Sequence, residues 1–228
     1  MYIYKLQQFS HKWTTPSPKC DRTALISDAV TDKIDVREFA STTIMATAIK
    51  PITLEEFLQL RETEPASEYI EGQINQKPIP QGEHSRLQGK LVATINEVAE
   101  PQKIALALPQ LRCTFGGATI VPDVTVFRWE RIPRTESARI KNRFESHPDW
   151  AIEILSPDQS QTKVLRNLLH SCKNGTELGW LILPDEASIL IVYPKQRIEL
   201  LAGIDPLPIL CNIDLSLTVE EIFNWLNI

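Results

Sequence analysis

The sequence is poor in the residue patterns that build zinc sites, disulfide frameworks and membrane spans. Its four cysteines are scattered singly and form no C-x-x-C pair, whereas zinc sites and disulfide-rich domains need closer, patterned spacing. No segment approaches the roughly 18–20 consecutive apolar residues of a transmembrane helix. The amino terminus lacks the continuous apolar stretch of a secretory signal peptide. These absences favour a cytoplasmic protein that holds no zinc through cysteines.

The charge balance is mildly acidic, with a formal net charge of −5. This value argues against a protein that coats nucleic acid through a broadly basic surface. It does not exclude a nuclease, because catalytic carboxylates lower the net charge and phosphate contact needs only a local basic strip. The segment 128–143 is locally basic, and it is either a phosphate-binding strip or a solvated loop. Its cations are Arg128, Arg131, Arg134, Arg139, Lys141 and Arg143.

The first fifty residues differ from the rest of the chain. Residues 1–50 show no sustained periodicity and are predicted to be a poorly ordered extension, with Met45 as a candidate start of translation. Residues 51–228 are predicted to form one domain. Capping boxes predict its first helix, from Thr53 to about Leu60, and its last, from Thr218 to Leu226.

Between these two helices the hydrophobic periodicity alternates between strand and helix. The predicted elements are a hairpin over 67–78, a helix over 84–99, a strand region over 104–115, a second strand over 119–128, a buried strand over 150–155, a helix over 160–174, and strands over 178–183, 188–193 and 197–201. This order predicts an α/β or α+β protein with a mixed sheet flanked by helices.

Two acidic residues stand in apolar strands where a carboxylate is unexpected. Glu153 lies within Ala151-Ile152-Glu153-Ile154-Leu155, and Asp123 begins the apolar run after Pro122. A buried carboxylate must be protonated, paired or bound to a metal. Taken singly, Glu153 could reach solvent or an arginine at a strand end, and Asp123 could be a turn residue after proline. As a pair on neighbouring strands they predict a divalent cation, and oxygen ligands without a histidine cluster favour Mg²⁺ or Mn²⁺.

These motifs, in this order, resemble the PD-(D/E)XK restriction-endonuclease-like superfamily. More specifically, the chain resembles a bacterial family of restriction endonucleases long catalogued as a domain of unknown function. The similar segments are 52–57, 68–72, His84 with its helix, 121–126, 150–157 and 179–181. The resemblance implies a restriction-endonuclease-like fold that cuts DNA phosphodiester bonds with Mg²⁺. It implies that Asp123 and Glu153 hold the metal, which would activate a water and neutralise phosphate charge.

The lysine of the superfamily motif is displaced in this chain. A D/E-x-K motif would place it at Leu155, which cannot serve. Many family members carry the lysine on the following helix, at the position of Asn167, which could hold a water but cannot take a proton. Lys163, one turn earlier, is the predicted replacement, and the alternative is a solvated surface lysine. Helical geometry places Lys163 nearly opposite the apolar stripe, so it could reach the metal only from the first turn.

Two further residues match family positions. Glu68, before the hairpin turn, is a candidate third metal ligand, or else one half of an exposed cross-strand pair. His84, at the start of its helix, could contact phosphate or relay a proton, or be structural. The predicted catalytic set is thus Asp123, Glu153, Lys163, Glu68 and His84.

The leading functional prediction is a Mg²⁺-dependent endonuclease acting on DNA. The alternatives are a catalytically decayed module that binds nucleic acid or a protein partner without cutting, and a hydrolase of another phosphate ester. A homodimer is favoured by the two strands of a DNA duplex.

Overall fold

The computed structural model describes residues 51–228. The predictions for residues 1–50, including the role of Met45, lie outside this range. Within it, four α-helices and two β-sheets form a mixed α+β fold, which confirms the predicted class.

The four helices lie close to their predicted positions. They are α1 (Leu54–Gln59), α2 (Gly82–Ala99), α3 (Gln161–Lys173) and α4 (Val219–Asn224). Both predicted capping boxes are present, since Thr53 exchanges hydrogen bonds with Glu56 and Thr218 does so with Glu221. These reciprocal bonds satisfy amide groups that have no partner within the first turn of a helix. None of the helices in the described range is long and apolar enough to cross a membrane.

The strands form two sheets. They are β1 (Ser67–Ile70), β2 (Gln73–Gln76), β3 (Ala105–Pro109), β4 (Cys113–Phe115), β5 (Ala118–Ile120), β6 (Val124–Arg128), β7 (Trp150–Ile154), β8 (Leu178–Leu183), β9 (Ser188–Tyr193) and β10 (Arg197–Ala202). The central sheet has the order β10-β9-β8-β7-β6-β3, and the small sheet has the order β2-β1-β5-β4. β7 and β8 are parallel and joined through α3, while the other neighbours in both sheets are antiparallel.

The two strands predicted over 104–115 and 119–128 are each divided between the sheets. β5 belongs to the small sheet and β6 to the central sheet, and the break falls at Val121-Pro122-Asp123. Pro122 has no amide hydrogen to donate to a ladder, so a continuous strand is disfavoured there. The single predicted strand over 119–128 is therefore wrong. Asp123 lies at the junction between the two sheets as a result.

Helices cover both faces of the central sheet. α2 packs on one face through Leu87, Leu91 and Ile95, which are fully buried. α3 packs on the other face through Val164, Leu168 and other apolar side chains. A strand that is buried on both faces must be apolar along its whole length, which explains the continuous hydrophobic runs of β7 and β8. Glu153 interrupts one of those runs.

Candidate active site

The strand register brings the two predicted metal ligands together. β6 and β7 are antiparallel, with Val124 opposite Ile152. One step further along this register, Asp123 falls opposite Glu153, and residues directly opposite in an antiparallel pair share one face of the sheet. Both side chains are 2 % exposed. The predicted pairing of these acids on neighbouring strands is therefore present.

A lysine from the small sheet lies between the two carboxylates. The Lys77 ammonium donates hydrogen bonds to Asp123 Oδ1 at 2.8 Å, to Glu153 Oε2 at 3.0 Å and to the Val121 carbonyl oxygen at 2.8 Å. Lys77 directly follows β2, and its amide donates to the Ala66 carbonyl at 2.9 Å, which extends the β1–β2 hairpin by one pair. The cation that compensates the buried acids in this structure is thus supplied by the chain itself.

The pKa values of this cluster reflect burial and mutual charge. Burial lowers the pKa of Lys77, but the Asp123, Glu153 and Glu68 carboxylates outweigh burial and raise it above its ordinary range. Burial favours the neutral form of Asp123, yet Lys77 and His84 together hold the pKa of that carboxyl well below its usual value. Burial raises the pKa of Glu153 well above its usual value despite Lys77. The two acids are therefore not equivalent: Asp123 is the permanently ionised one.

Asp123 is fixed by several further contacts. Its Oδ2 accepts a hydrogen bond from the Ile154 amide at 2.8 Å and lies 3.1 Å from His84 Nε2. Its carbonyl oxygen accepts from Gln88 Nε2 at 2.7 Å. His84 and Gln88 are one turn apart at the start of α2, so this helix positions Asp123 through both its side chain and its backbone. His84, one of the predicted site residues, is thus in direct contact with the predicted metal ligand.

Two polar atoms in this region are buried without a hydrogen-bond partner among the described residues. They are Glu153 Oε1 and His84 Nδ1. Buried polar atoms in native proteins are nearly always satisfied, so each needs an explanation. A carboxylate oxygen left free beside a second carboxylate is available to a cation or a water.

Glu68 lies next to the cluster but is fully engaged. Its Oε1 accepts a hydrogen bond from the Val121 amide at 2.8 Å, and its Oε2 accepts one from Asn167 Nδ2 at 2.8 Å. Burial raises the pKa of Glu68, although Lys77 and both hydrogen bonds oppose that rise. No group of three histidine, cysteine or acidic side chains converges as metal ligands anywhere in residues 51–228. The role of Glu68 as a direct ligand remains a prediction, and its contacts are those of a brace between β5 and α3.

The predicted lysine on α3 stands apart from the two carboxylates. Lys163 is exposed in the first turn of α3 and forms no ion pair within the described range. It lines the same cavity as Glu68, Lys77 and Glu153. Asn167, at the position where the resembled family carries its lysine, is buried and donates to Glu68. Lys163 therefore faces the site without touching it.

Two cavities flank the Lys77–Pro78 segment. One, of about 540 Å³, is lined by Asp123, His84 and the segment 62–66 among others. The second, of about 460 Å³, is lined by Glu68, Glu153 and Lys163 among others. Lys77, Pro78 and Gln159 border both. The first cavity thus reaches Asp123 and the second reaches Glu153.

The basic segment 128–143, which the sequence left open as a phosphate-binding strip or a solvated loop, begins at the end of β6 opposite to Asp123. Arg128 ends that strand, five residues and roughly 16 Å along the chain from Asp123, and pairs with Glu177 at 2.9 Å. Arg131 pairs with Asp149, and Arg134 stacks on Trp129. These three arginines are engaged within the protein and hold the loop after β6 in place, which favours the alternative of a structural loop for them.

Lys77 is the site residue that the sequence analysis missed. The hairpin over 67–78 was predicted, and side chains alternate between the faces of a strand. With Glu68 opposite Asn75, that alternation places Lys77 on the same face as Glu68. The signal was therefore available once Glu68 was singled out, but nothing in the sequence indicated that this face covers Asp123 and Glu153.

Comparisons with known proteins agree with the fold. A family model described as "Putative restriction endonuclease" matches residues 54–220. A crystal structure of "a putative nuclease belonging to DUF820" from Anabaena variabilis is 54% identical in sequence, with a TM-score of 0.75, and the match covers 77% of this chain and 99% of that one. None of the curated proteins compared with the chain matches it. The predicted nuclease fold is confirmed, and the chain belongs to the Uma2 family of restriction-endonuclease-like proteins.

Proposed function

We propose that this protein is a Mg²⁺-dependent endonuclease that hydrolyses DNA phosphodiester bonds. The observation that carries the proposal is the convergence of two buried carboxylates on one point. Asp123 Oδ1 and Glu153 Oε2 both lie within 3.0 Å of the Lys77 ammonium, so the two oxygens are close enough for one further cation beside Lys77 to bind both. The family and the similar nuclease structure support nuclease chemistry at this position.

The donor set suits Mg²⁺. This ion prefers hard oxygen ligands, retains several waters and is commonly bound through only one or two carboxylates. The free Glu153 Oε1 adds an oxygen that no described protein group uses. A bound Mg²⁺ would lower the pKa of a coordinated water and neutralise charge on the scissile phosphate. Mn²⁺ has the same ligand preference and is the alternative metal.

The protein groups around the carboxylates have positioning roles in this proposal. The Ile154 amide and His84 hold Asp123 Oδ2 in one orientation, so Oδ1 stays on the Lys77 ammonium that also bonds Glu153. Glu68 ties β5 to α3, and this fixes the wall of the second cavity. Lys163, on that wall, is placed to contact a phosphate of the DNA backbone rather than the metal ligands.

A second candidate function has a specific observation in its favour. Lys77 already neutralises part of the charge of Asp123 and Glu153, so a metal is not needed to explain why two acids are buried. A nuclease-fold module that binds nucleic acid or a protein partner without cutting would need no more than this ion-paired cluster. The Lys77 ion pairs are therefore an alternative to a divalent ion as the explanation for these buried acids.

Nicking of supercoiled plasmid DNA separates the two candidates. If the protein is a nuclease, nicking should depend on Mg²⁺, stop with EDTA, and disappear in both Asp123→Asn and Glu153→Gln. DNA binding without cleavage under Mg²⁺ or Mn²⁺ establishes the non-cutting module instead. Light scattering coupled to size-exclusion chromatography, with and without DNA, tests the proposed homodimer.

A further inference from the structure

We propose that Lys77 is the catalytic cation of this site, acting on the substrate phosphate in the role for which the sequence predicted Lys163. The inference rests on the proposed nuclease function and adds a residue to it. It assigns the lysine to the small sheet rather than to α3, so the active site would be assembled from two sheets.

Lys77 is in direct contact with both carboxylates. Lys77 is the one cation within the described range that bonds both Asp123 and Glu153, at 2.8 and 3.0 Å. Its third hydrogen bond goes to the Val121 carbonyl, so all three ammonium hydrogens have an acceptor and the group has a fixed position. Electrostatic catalysis depends on charges that are held in place before the reaction begins.

Lys77 is also accessible from both cavities. Lys77 retains 11 % exposure of its side chain and borders both cavities beside the carboxylates. A phosphate that approaches Asp123 and Glu153 from either cavity therefore meets this ammonium. A lysine buried only to neutralise two acids would not need an opening on both sides.

The other side chains that could act as the catalytic cation do not contact the two carboxylates. The second cavity has two further cations, Lys163 and Arg166. Neither forms an ion pair with Asp123 or Glu153, and Arg166 lies 4.0 Å from the exposed Glu71 instead. Asn167 carries no charge and is bonded to Glu68. Among the described residues, Lys77 alone combines a positive charge with contact to the proposed metal ligands.

The net charge of the buried cluster leaves room for both Lys77 and a divalent metal. The buried cluster contains three carboxylates, those of Asp123, Glu153 and Glu68, and one ammonium. When all are ionised the cluster carries two net negative charges, which one divalent cation neutralises. Lys77 can therefore stay charged beside a bound metal, and its removal leaves a third negative charge that attracts the metal more strongly.

In this role Lys77 needs only to keep its proton and its positive charge during the reaction. In hydrolysis a water oxygen forms a bond to phosphorus, the bond to the leaving oxygen breaks, and the water proton ends on the leaving oxygen or in solvent. Negative charge increases on the phosphoryl oxygens as the transition state forms. The Lys77 ammonium, whose three hydrogens already have acceptors, stabilises those oxygens through its positive charge, without gaining or losing a proton.

The test compares Lys77→Met with Lys163→Met, which removes a cation from the same cavity without breaking an ion pair. Two quantities are measured: the rate of Mg²⁺-dependent plasmid nicking, and the Kd for Mg²⁺ by isothermal titration calorimetry without DNA. We expect Lys77→Met to lower the rate by about 10²–10³-fold while the Kd for Mg²⁺ falls severalfold. Lys163→Met, which loses one proposed contact to the DNA backbone, should lower the nicking rate far less, through severalfold weaker DNA binding, and should leave the Kd for Mg²⁺ close to wild type.

Chemical rescue separates catalysis from folding. Lys77→Cys treated with 2-bromoethylamine regains an ammonium at nearly the same distance, and nicking should return, whereas treated Lys77→Met and treated wild type should not change. Rescue of cleavage together with tighter Mg²⁺ binding in the methionine variant supports the proposal.

Three results overturn it. The first is full cleavage by Lys77→Met. The second is weaker Mg²⁺ binding, which would identify Lys77 as a structural clamp. The third is failure of both the methionine and the cysteine variants to fold, shown by circular dichroism, which has the same meaning. A wild-type protein that never nicks DNA with Mg²⁺ instead overturns the nuclease function itself, and the catalytic role of Lys77 with it.

Discussion

The β6–β7 strand pair carries buried acids at both of its ends, and the two ends are built differently. At one end Asp149, 3 % exposed, accepts a hydrogen bond from the Arg128 amide at 2.7 Å and pairs with the Arg131 guanidinium. Both of its carboxylate oxygens therefore have partners from the adjoining loop. At the other end Asp123 and Glu153 share one ammonium from a different sheet, and Glu153 Oε1 has no hydrogen-bond partner within residues 51–228.

This contrast separates a structural acid from a candidate functional acid. A saturated buried ion pair holds two segments together and has no bonding capacity left for a ligand. An unsaturated pair of like-charged groups costs stability and keeps that capacity. Burial by itself does not distinguish the two ends, since all three carboxylates are almost completely covered. The partners make the difference.

The largest expected effect is on cleavage. Asp123→Asn should lower Mg²⁺-dependent nicking by about 10³-fold, because the amide keeps the shape of the side chain but supplies a weaker, neutral metal ligand. The measurement is the nicking rate on supercoiled plasmid at saturating Mg²⁺. Asp149→Asn is the matched control at the other end of the strands, and it should cut at the wild-type rate below its melting temperature. Equal losses in both variants would contradict the comparison.

Bound Mg²⁺ should stabilise the protein only through the end of the β6–β7 pair that carries Asp123 and Glu153. At a Mg²⁺ concentration of 100 times its Kd, the free energy of unfolding should rise by about 2.7 kcal/mol. Chemical denaturation with and without Mg²⁺ measures this rise. The Asp149→Asn protein should show the same increment as wild type, and Glu153→Gln should show almost none. An undiminished increment in Glu153→Gln would place the metal elsewhere.

Stability without metal should depend mainly on the other end. Asp149→Asn should lower the free energy of unfolding by about 2 kcal/mol, because the charge-assisted bond from Arg131 is weakened in a buried position. The quantity is the midpoint of urea unfolding in EDTA at an unchanged slope. Arg131→Lys, which keeps the charge but loses the planar guanidinium, should fall between wild type and Asp149→Asn. A fully stable Asp149→Asn protein would show that this end is not a structural clamp.

The smallest effect is on the pH dependence of stability. Burial raises the pKa of Glu153 well above its ordinary 4.5, so the folded state binds this proton more tightly than the unfolded state does. The contribution is complete below pH 4.5 and is lost as the pH rises through the folded pKa. In EDTA, wild type should therefore lose stability relative to Glu153→Gln above that pH, by at most about 1.4 kcal/mol per pH unit. Urea titrations of the two proteins at several pH values measure the difference in the free energy of unfolding. A wild type that becomes more stable relative to Glu153→Gln as the pH rises would refute this prediction.

Much of the fold follows from local sequence signals. Both capping boxes, the β1–β2 hairpin and the apolar stripe of α3 were predictable, because each depends on neighbours along the chain. The division of residues 119–128 between two sheets was not predicted, although Pro122 marked the place. A proline indicates that a ladder is interrupted, but it does not indicate that the chain continues in another sheet.

The candidate site was predictable in part for the same reason. Asp123 and Glu153 could be singled out because a carboxylate contradicts its apolar neighbours, and that conflict is visible in sequence. Lys77 and Gln88 lie in polar surroundings, where a lysine or a glutamine causes no conflict. Lys163 was selected because it lies one helical turn before the position where the resembled family carries its lysine. The structure instead places Lys77, 76 residues from Glu153, against that carboxylate.

The sequence by itself determined which two acids are out of place, and which helices and strands carry them. Local propensity and hydrophobic period act over a few residues, and that range is sufficient for both conclusions. Only the tertiary structure decided which cation meets those acids, because the small sheet folds over the end of β6 and β7 and brings Lys77 to them. Such a contact depends on the packing of two sheets, which no short stretch of sequence encodes.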